Sequence, residues 1–278
     1  MAPKVFIFLP VHNRKEITRT FITSLLQQTF TNYHLVLIDD GSTDGTADMV
    51  TSLLPAATVI TGTGDWWWGG SLQQGYNWIC GQTLQEGDLV LIANDDVEFA
   101  PDYLQQGVDY MHTAPDTLLL SQAYSKQTGQ LTDIGVVLDW RKLTFTPATN
   151  IADINCLSTR GLFLTAKALL ATGGFRPALL PHYFSDYEFT LRAQRKGFKL
   201  TSDPRVRLLM NEETTGIHQL KGVSVWKYLK KIFSKRAVGN PVYYFVFIWL
   251  SCPAKYIPLN LCRVCVGFVK TFLQNSLA

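Results

Sequence analysis

Residues 34–45, HLVLIDDGSTDG, decide how the chain is read: a strand-like run over 34–38 stops abruptly at two aspartates and a glycine. Residues 88–96, DLVLIANDD, repeat the design, with a strand over 88–93 ended by Asn94, Asp95 and Asp96. Outward from these, residues 4–9 (KVFIFL) form a third apolar run, closed by Pro10, and residues 57–61 a fourth. Helical periodicity fills the gaps. Ile17, Phe21 and Leu25 share one side of a helix expected over 14–28. Ser42, Thr43, Asp44 and Gly45 offer N-caps for a helix over 45–53, and a further helix is expected over 71–84. Buried strands alternating with helices predict an α/β fold with a mostly parallel central sheet. In such sheets ligands sit beyond the carboxyl ends of the strands. Both acidic clusters fall at those ends.

The second half is less regular. Strands are expected over 117–124, 131–138 and 156–165, and a helix over about 186–197. With 278 residues, 47% of them hydrophobic, the chain can bury a large core without disulfides. Its five cysteines are odd in number and irregularly spaced, and the Cys262-x-x-Cys265 pair has no second pair to complete a metal site. The first nine residues read as a strand and not as a signal peptide, so a cytoplasmic active domain is expected. Residues 221–278 hold nine Lys/Arg and no Asp/Glu, leaving sixteen basic against twenty-two acidic residues in the preceding 220. The expected boundaries are therefore a catalytic-type domain over 1–220 and a basic, apolar helical tail over 221–278.

Two acidic clusters on one sheet edge repel each other unless a positive charge intervenes. Hard carboxylate oxygens suit Mg²⁺ or Mn²⁺, which commonly bridge carboxylates and phosphates. The simpler alternative is solvation and helix capping. Three adjacent tryptophans, Trp66, Trp67 and Trp68, cannot all enter one core face, so either a cleft takes one of them or the run anchors a loop. Gly69 and Gly70 would let the backbone approach a ligand closely.

An ordered series of segments then resembles glycosyltransferase family 2. It comprises Phe8–Arg14 (FLPVHNR), Ser24–Thr29 (SLLQQT), Val36–Thr46 (VLIDDGSTDGT), Trp66–Gly70 (WWWGG), Asn94–Asp96, Gly173–Phe175 and Ser185–Arg192 (SDYEFTLR). The resemblance implies a GT-A fold, a nucleotide-sugar donor and inversion at the anomeric carbon. It places the donor against Pro10, Val11, His12, Asn13 and Arg14, with Asp39 on the base and Asp40 beside it or on the ribose. Trp68, Gly69, Gly70, Asn94 and Asp95 complete that set. Asp96 takes the place of the metal-binding aspartate, although Asn94 departs from the family's Asp-x-Asp. His218 matches a late histidine that can complete the metal shell; the alternative is a surface histidine. Asp186 aligns with the catalytic base. Glu188 and Arg192, spaced i,i+4, read mainly as a structural pair that could border the acceptor together with Trp66 and Trp67.

In the tail, residues 223–236 place Val225, Tyr228, Leu229, Ile232 and Phe233 on one helical side with lysines largely opposite. Two apolar runs follow, 242–254 ended by Pro253 and 256–272 interrupted by Pro258, Arg263 and Lys270. Each reads as too short or too broken to span a bilayer, so the tail is expected to lie on an anionic membrane, at the inner face of the plasma membrane. Packing on the main domain or a homo-oligomer contact are the alternatives. Nucleic acid is not an expected partner, because the basic residues alternate with large apolar ones. The expected activity is transfer of a hexosyl or deoxyhexosyl group to a glycan or lipid-linked glycan in surface polysaccharide synthesis. A sugar nucleotidyltransferase and a non-catalytic sugar-nucleotide-binding subunit are the alternatives.

Overall fold

The computed structural model describes residues 3–211, 230–235 and 237–276. His218 and most of the helix expected over 223–236 lie outside them. Strands β1 (Val5–Val11), β2 (Tyr33–Asp39), β3 (Thr58–Thr61) and β4 (Leu89–Ile92) run parallel in the order β3-β2-β1-β4. They alternate with α1 (Lys15–Leu26), α2 (Thr46–Leu53) and α3 (Trp67–Cys80). The four runs legible in the sequence thus form one half of the central sheet.

The other half is mixed. Beyond β5 (Val97–Glu98) and α4 (Tyr103–Thr113) come β6 (Thr117–Ser125), β7 (Leu131–Asp133), β8 (Val136–Asp139) and β9 (Thr144–Pro147). Then follow β10 (Leu162–Thr165), α5 (Ala166–Thr172), α6 (Ser185–Arg195) and β11 (Lys199–Met210). The sheet continues β4-β10-β6-β11-β5, with β10 antiparallel to both neighbours and β11 parallel to β6. β8 and β9 form a separate ribbon. The single strand expected over 131–138 is two, because Gly135 turns the chain at φ 130° with its N–H on Asp133 Oδ1 at 2.8 Å. Only Leu162–Thr165 of the expected 156–165 is strand. β11 escaped the sequence reading because Asp203, Pro204, Arg205 and Arg207 interrupt its apolar pattern.

Alternation along β1 divides the core. Val5, Ile7 and Leu9 meet Phe21 and Leu25 of α1, Val50 of α2 and Leu104 of α4. Phe6 and Phe8 face the other way, onto Leu72 and Ile79 of α3, Leu169 of α5 and Phe189 of α6. Each such fully buried side chain contributes about 1.5–3 kcal/mol. α4 approaches β10 closely enough that a Cβ on Gly107 would lie 2.6 Å from the Phe163 ring.

A third cluster ties the tail to this body. α7 (Pro241–Ser251) sets Phe247 and Tyr244 against Phe184, Tyr187 and Phe145, joining α6 to the β8–β9 ribbon. Trp140 stacks on Phe247 with centroids 5.5 Å apart. Pro253 separates α7 from α8 (Ile257–Ser276). The second apolar run is continuous, contrary to the expectation of a run broken at Pro258. Pro258 falls in the first turn of α8, where no intrahelical N–H bond is lost, so it does not break the second apolar run. The twenty residues Ala254–Leu273 are long and apolar enough to cross a membrane by length and composition, and only 6% of that window is buried.

Candidate active site

The loops beyond β2 and β3 are joined by one carboxylate, that of Asp40. Val11 pairs with Asp39 in the register, and Asp40 N–H donates to the Val11 carbonyl at 2.9 Å. The chain then reverses at Gly41, φ 72°, where a Cβ would lie 2.8 Å from Gly64 N. This brings residues 62–67 back over Asp40. Its Oδ1 accepts from Gly64 N–H at 2.8 Å, and its Oδ2 from Trp66 N–H at 2.9 Å and Trp67 N–H at 3.0 Å. A carboxylate bonded to backbone N–H groups at a helix N-terminus is a charge-assisted, dipole-favoured arrangement. It explains why α3 starts at Trp67 and not at Ser71. It also holds Trp67 at φ 59°, a left-handed conformation that a bulky residue adopts only under constraint.

Opposite lies the Asn94–Asp96 segment. Arg14 Nε stands 3.3 Å from Asp95 Oδ2, and its Nη2 3.2 Å from Asp96 Oδ2. Thr18 Oγ1 donates to Asp95 Oδ2 at 3.0 Å. Burial drives the Asp95 carboxyl up to about 6, with Arg14 pulling it down and the Asp96 charge adding to the rise. Arg14 is therefore the positive charge that lets two adjacent carboxylates share a buried edge. The donor set also suits a divalent cation: one or two carboxylates, with the remaining positions left to water and phosphate, is how Mg²⁺-like ions are usually held. Among the described residues no three His, Cys, Asp or Glu side chains converge on one point.

These elements enclose a cavity of about 400 Å³. Its wall includes Pro10, Val11, His12, Arg14, Asp40, Trp67, Trp68, Asn94, Asp95 and Asp96, all singled out from the sequence. It also includes Gly64, Ser71 and His182, which were not. His182 belongs to the segment just before Ser185-Asp186; its ring meets Trp67 edge-on at 5.8 Å and its carbonyl accepts from Ser185 Oγ at 2.7 Å. A histidine abutting that motif was the signal available. His12 donates from Nδ1 to the Asp40 carbonyl at 2.6 Å, which leaves Nε2 to accept from Asn13 Nδ2 at 3.2 Å. Trp68 Nε1 donates to Thr159 Oγ1 at 3.0 Å, fixing one indole as cavity wall.

Seven expected donor or acceptor residues lie off this wall: Glu188 and Arg192 of α6, and five whose surroundings give the reason. Asn13, at φ 52°, spends its Oδ1 on Thr43 N–H at 2.8 Å and so staples two loops together. Asp39 is buried and accepts from Ser42 N–H at 2.8 Å. Trp66 packs into the core on the α3 side. Gly69 and Gly70 are buried within α3; a Cβ on Gly69 would lie 2.7 Å from the Leu180 carbonyl. Their small size serves helix packing, where close backbone approach to a ligand was expected.

Asp186 opens α6 behind His182, preceded by Phe184 in a left-handed conformation at φ 65°. It is not on the cavity wall. Its Oδ1 accepts from Tyr187 N–H at 2.9 Å, and burial lifts its carboxyl to about 6, opposed by that backbone bond and by Arg160 and reinforced by Asp133. Glu188, by contrast, is 3% exposed and bound bidentately by Arg192 at 2.8 and 2.9 Å. Arg192 also donates to the carbonyls of Thr172, Gly173 and Gly174. That pair clamps the Gly173-Gly174 loop onto α6, the structural role expected first for it.

A family model described as glycosyl transferase family 2 matches residues 6–156, just over half the chain. The chain belongs to that family. The matched span contains the whole sheet edge from Pro10 to Asp96 and ends before Asp186. Solved structures of other glycosyltransferases share the fold. The mannosyltransferase PcManGT from Pyrobaculum calidifontis, in complex with GDP-Man and Mn²⁺, aligns at TM-score 0.57 and 14% identity, over 97% of this chain and 76% of its own. S. aureus TarS 1-349 in complex with UDP-GlcNAc aligns at TM-score 0.60 and 15% identity, over 95% and 71%. GalNAc-T7 with UDP, GalNAc and Mn²⁺ aligns at 0.62 and 13%, over 88% and 47%. At these identities the likeness establishes the GT-A type fold of this family 2 chain and nothing finer.

Proposed function

We propose that this family 2 chain transfers a sugar from a nucleoside-diphosphate sugar to an acceptor hydroxyl, by single displacement with inversion. The observation that carries it is one cavity beyond the ends of β1, β2 and β4 whose wall collects His12, Arg14, Asp95 and Asp96 together with Trp67 and Trp68. Cations and backbone donors there suit a diphosphate, and indole faces suit sugar C–H surfaces. The nucleotide-sugar complexes of the structural neighbours support the same use of the fold.

In this reading Pro10–Arg14 and Asn94 border the nucleotide, while Asp39 and Asp40 shape the loops that hold it. Asp96, assisted by Asp95, would hold a divalent ion, Mn²⁺ or Mg²⁺, whose chemistry is to neutralise charge on the departing diphosphate. His218 is kept as a candidate further ligand. Arg14 supplies positive charge at the same carboxylates, so it stabilises the leaving group or yields to the ion. Asp186 removes the proton from the acceptor hydroxyl. A carboxyl raised to about 6 is still ionised at neutral pH yet basic enough for proton transfer. Its place behind the wall accords with catalytic contacts that tighten only when substrates are bound.

Residues 1–220 serve as the catalytic unit and 221–278 as its membrane-facing tail, at the inner face of the plasma membrane. The acceptor is a glycan or lipid-linked glycan and the transferred group a hexose or deoxyhexose. The test is a panel of nucleotide sugars with Mn²⁺, read first as thermal stabilisation and then as product formation. Asp96→Ala should lose metal-dependent transfer and Asp186→Asn should lose transfer while keeping donor binding. Release of pyrophosphate from a nucleoside triphosphate and sugar phosphate would instead identify a nucleotidyltransferase. Donor binding without turnover across a broad acceptor panel would identify a binding subunit.

A further inference from the structure

A second concavity, of about 350 Å³, lies between α7, α8 and the β8–β9 turn, remote from the donor cavity. Its wall is apolar, formed by Tyr244, Val264 and Phe268, with Lys142 and Arg263 beside them. A Cβ on Gly267 would meet nothing within 4 Å, so the space continues open there. Arg263 Nη1 donates to Asn260 Oδ1 at 2.7 Å, and neither cation has a carboxylate partner among the described residues. On the outer side of α8, Leu259, Val266, Val269 and Leu273 are each about half exposed or more, and Trp249 of α7 is 73% exposed. The described tail adds Lys230, Lys231, Lys235, Lys255 and Lys270 and carries no acidic residue.

The charge decides the occupant. A second copy of so basic a hairpin would bring like charges together, and free phosphate would leave the apolar wall uncovered. We propose that this groove is a binding site for an anionic phospholipid of a membrane surface, with the headgroup phosphate at Lys142 and Arg263 and an acyl chain along Tyr244, Gly267 and Phe268. The outer apolar face of α8 enters the same lipid layer, so groove and face act together. Tyr244 is also the contact that reaches Phe184, edge-on at 4.6 Å, directly before the turn carrying Asp186. On the reading of Asp186 as the base, the lipid site therefore lies behind the acceptor side and orients it toward the interface.

The experiment is flotation of the full chain with vesicles of phosphatidylcholine alone and of phosphatidylcholine containing about a third phosphatidylglycerol. Wild type should float with the anionic vesicles and be released by high salt. Lys142→Gln/Arg263→Gln should weaken that binding by about 30-fold, the loss expected for two basic residues at an anionic surface. Gly267→Leu, which fills the groove with the outer face intact, should weaken it by roughly tenfold, as expected for a displaced apolar contact of a few methylenes. Gly267→Ala should float like wild type. Thermal melts show whether each variant folds; should Gly267→Leu fail to, the charge-neutral double variant decides. Undiminished flotation of folded Lys142→Gln/Arg263→Gln or of folded Gly267→Leu, release by millimolar inorganic phosphate, or a stable dimer that excludes vesicles would each overturn the site. Donor turnover with a soluble acceptor and no vesicles is read alongside; its absence would count against the proposed transfer reaction and leave the flotation result standing.

Discussion

The two sides of the site are built on opposite principles. The donor side, at the ends of β1, β2 and β4, is held by polar bonds: three backbone N–H groups on Asp40, and Arg14 across Asp95 and Asp96. The side bearing Asp186 is held by aromatic packing, with Phe184 between Tyr244 and Phe247 of the tail helix. A polar cradle specifies where charges sit. An aromatic buttress specifies where a whole turn sits and lets burial tune its carboxyl. The difference teaches that α7 of the tail buttresses the Asp186 turn, since removing its aromatic face would leave that turn without its support.

The largest effect should separate chemistry from binding. Asp186→Asn is expected to lower kcat by about 10²–10⁴-fold, the usual worth of a general base, with donor affinity unchanged. Its stability should move the other way. A carboxyl raised from about 3.9 in the unfolded chain binds more protons in the folded one, so its contribution falls as pH rises through about 6. Asp186→Asn should therefore match the wild-type melting temperature near pH 4 and exceed it at pH 8. In wild type, kcat/KM should fall on the acid side with a limb near pH 6.

The aromatic side is probed next. Phe247→Ala should cost about 3–5 kcal/mol of stability in denaturant unfolding, as for other large-to-small core changes. Transfer should fall with it although Phe247 lies outside the donor cavity; unchanged activity in the folded variant would break the link drawn between tail and base. On the polar side, Asp40→Ala should cost about 1.5–3 kcal/mol, the scale of a charged hydrogen bond left unmade. It should weaken donor binding through the Gly64–Trp67 loop, measured by calorimetry. The smallest change, Thr18→Val, should cost about 1 kcal/mol and shift Asp95 further upward, because it removes the bond that holds that carboxyl down. Carboxyl chemical shifts followed through a pH titration would read it.

The donor side was legible in the sequence because it is local. Each acidic cluster closely follows a strand, so a continuous apolar run and its stop place Asp39, Asp40, Asp95 and Asp96 on one edge without any knowledge of packing. What is not legible there depends on contacts across the chain: Gly69 sits against the Leu180 carbonyl, a packing demand that its own neighbours in sequence do not announce. The other side was legible only as a motif. Nothing around Ser185-Asp186 announces that Tyr244 and Phe247, some sixty residues later in sequence, complete its surroundings. Long-range aromatic contacts leave no periodicity, and His182 was passed over for the same reason. The continuity of the second apolar run is not legible either, because a proline reads as a break until its helical position is known, and Pro258 falls in the first turn of α8.

The most direct measurement is a calorimetric titration of donor sugar nucleotide with Mn²⁺ into wild type, Asp96→Ala and Asp186→Asn, each then assayed for transfer. Two linked subsites require that Asp186→Asn bind donor as wild type does and fail to transfer, while Asp96→Ala loses donor affinity. Equal binding and equal turnover in all three proteins would contradict it.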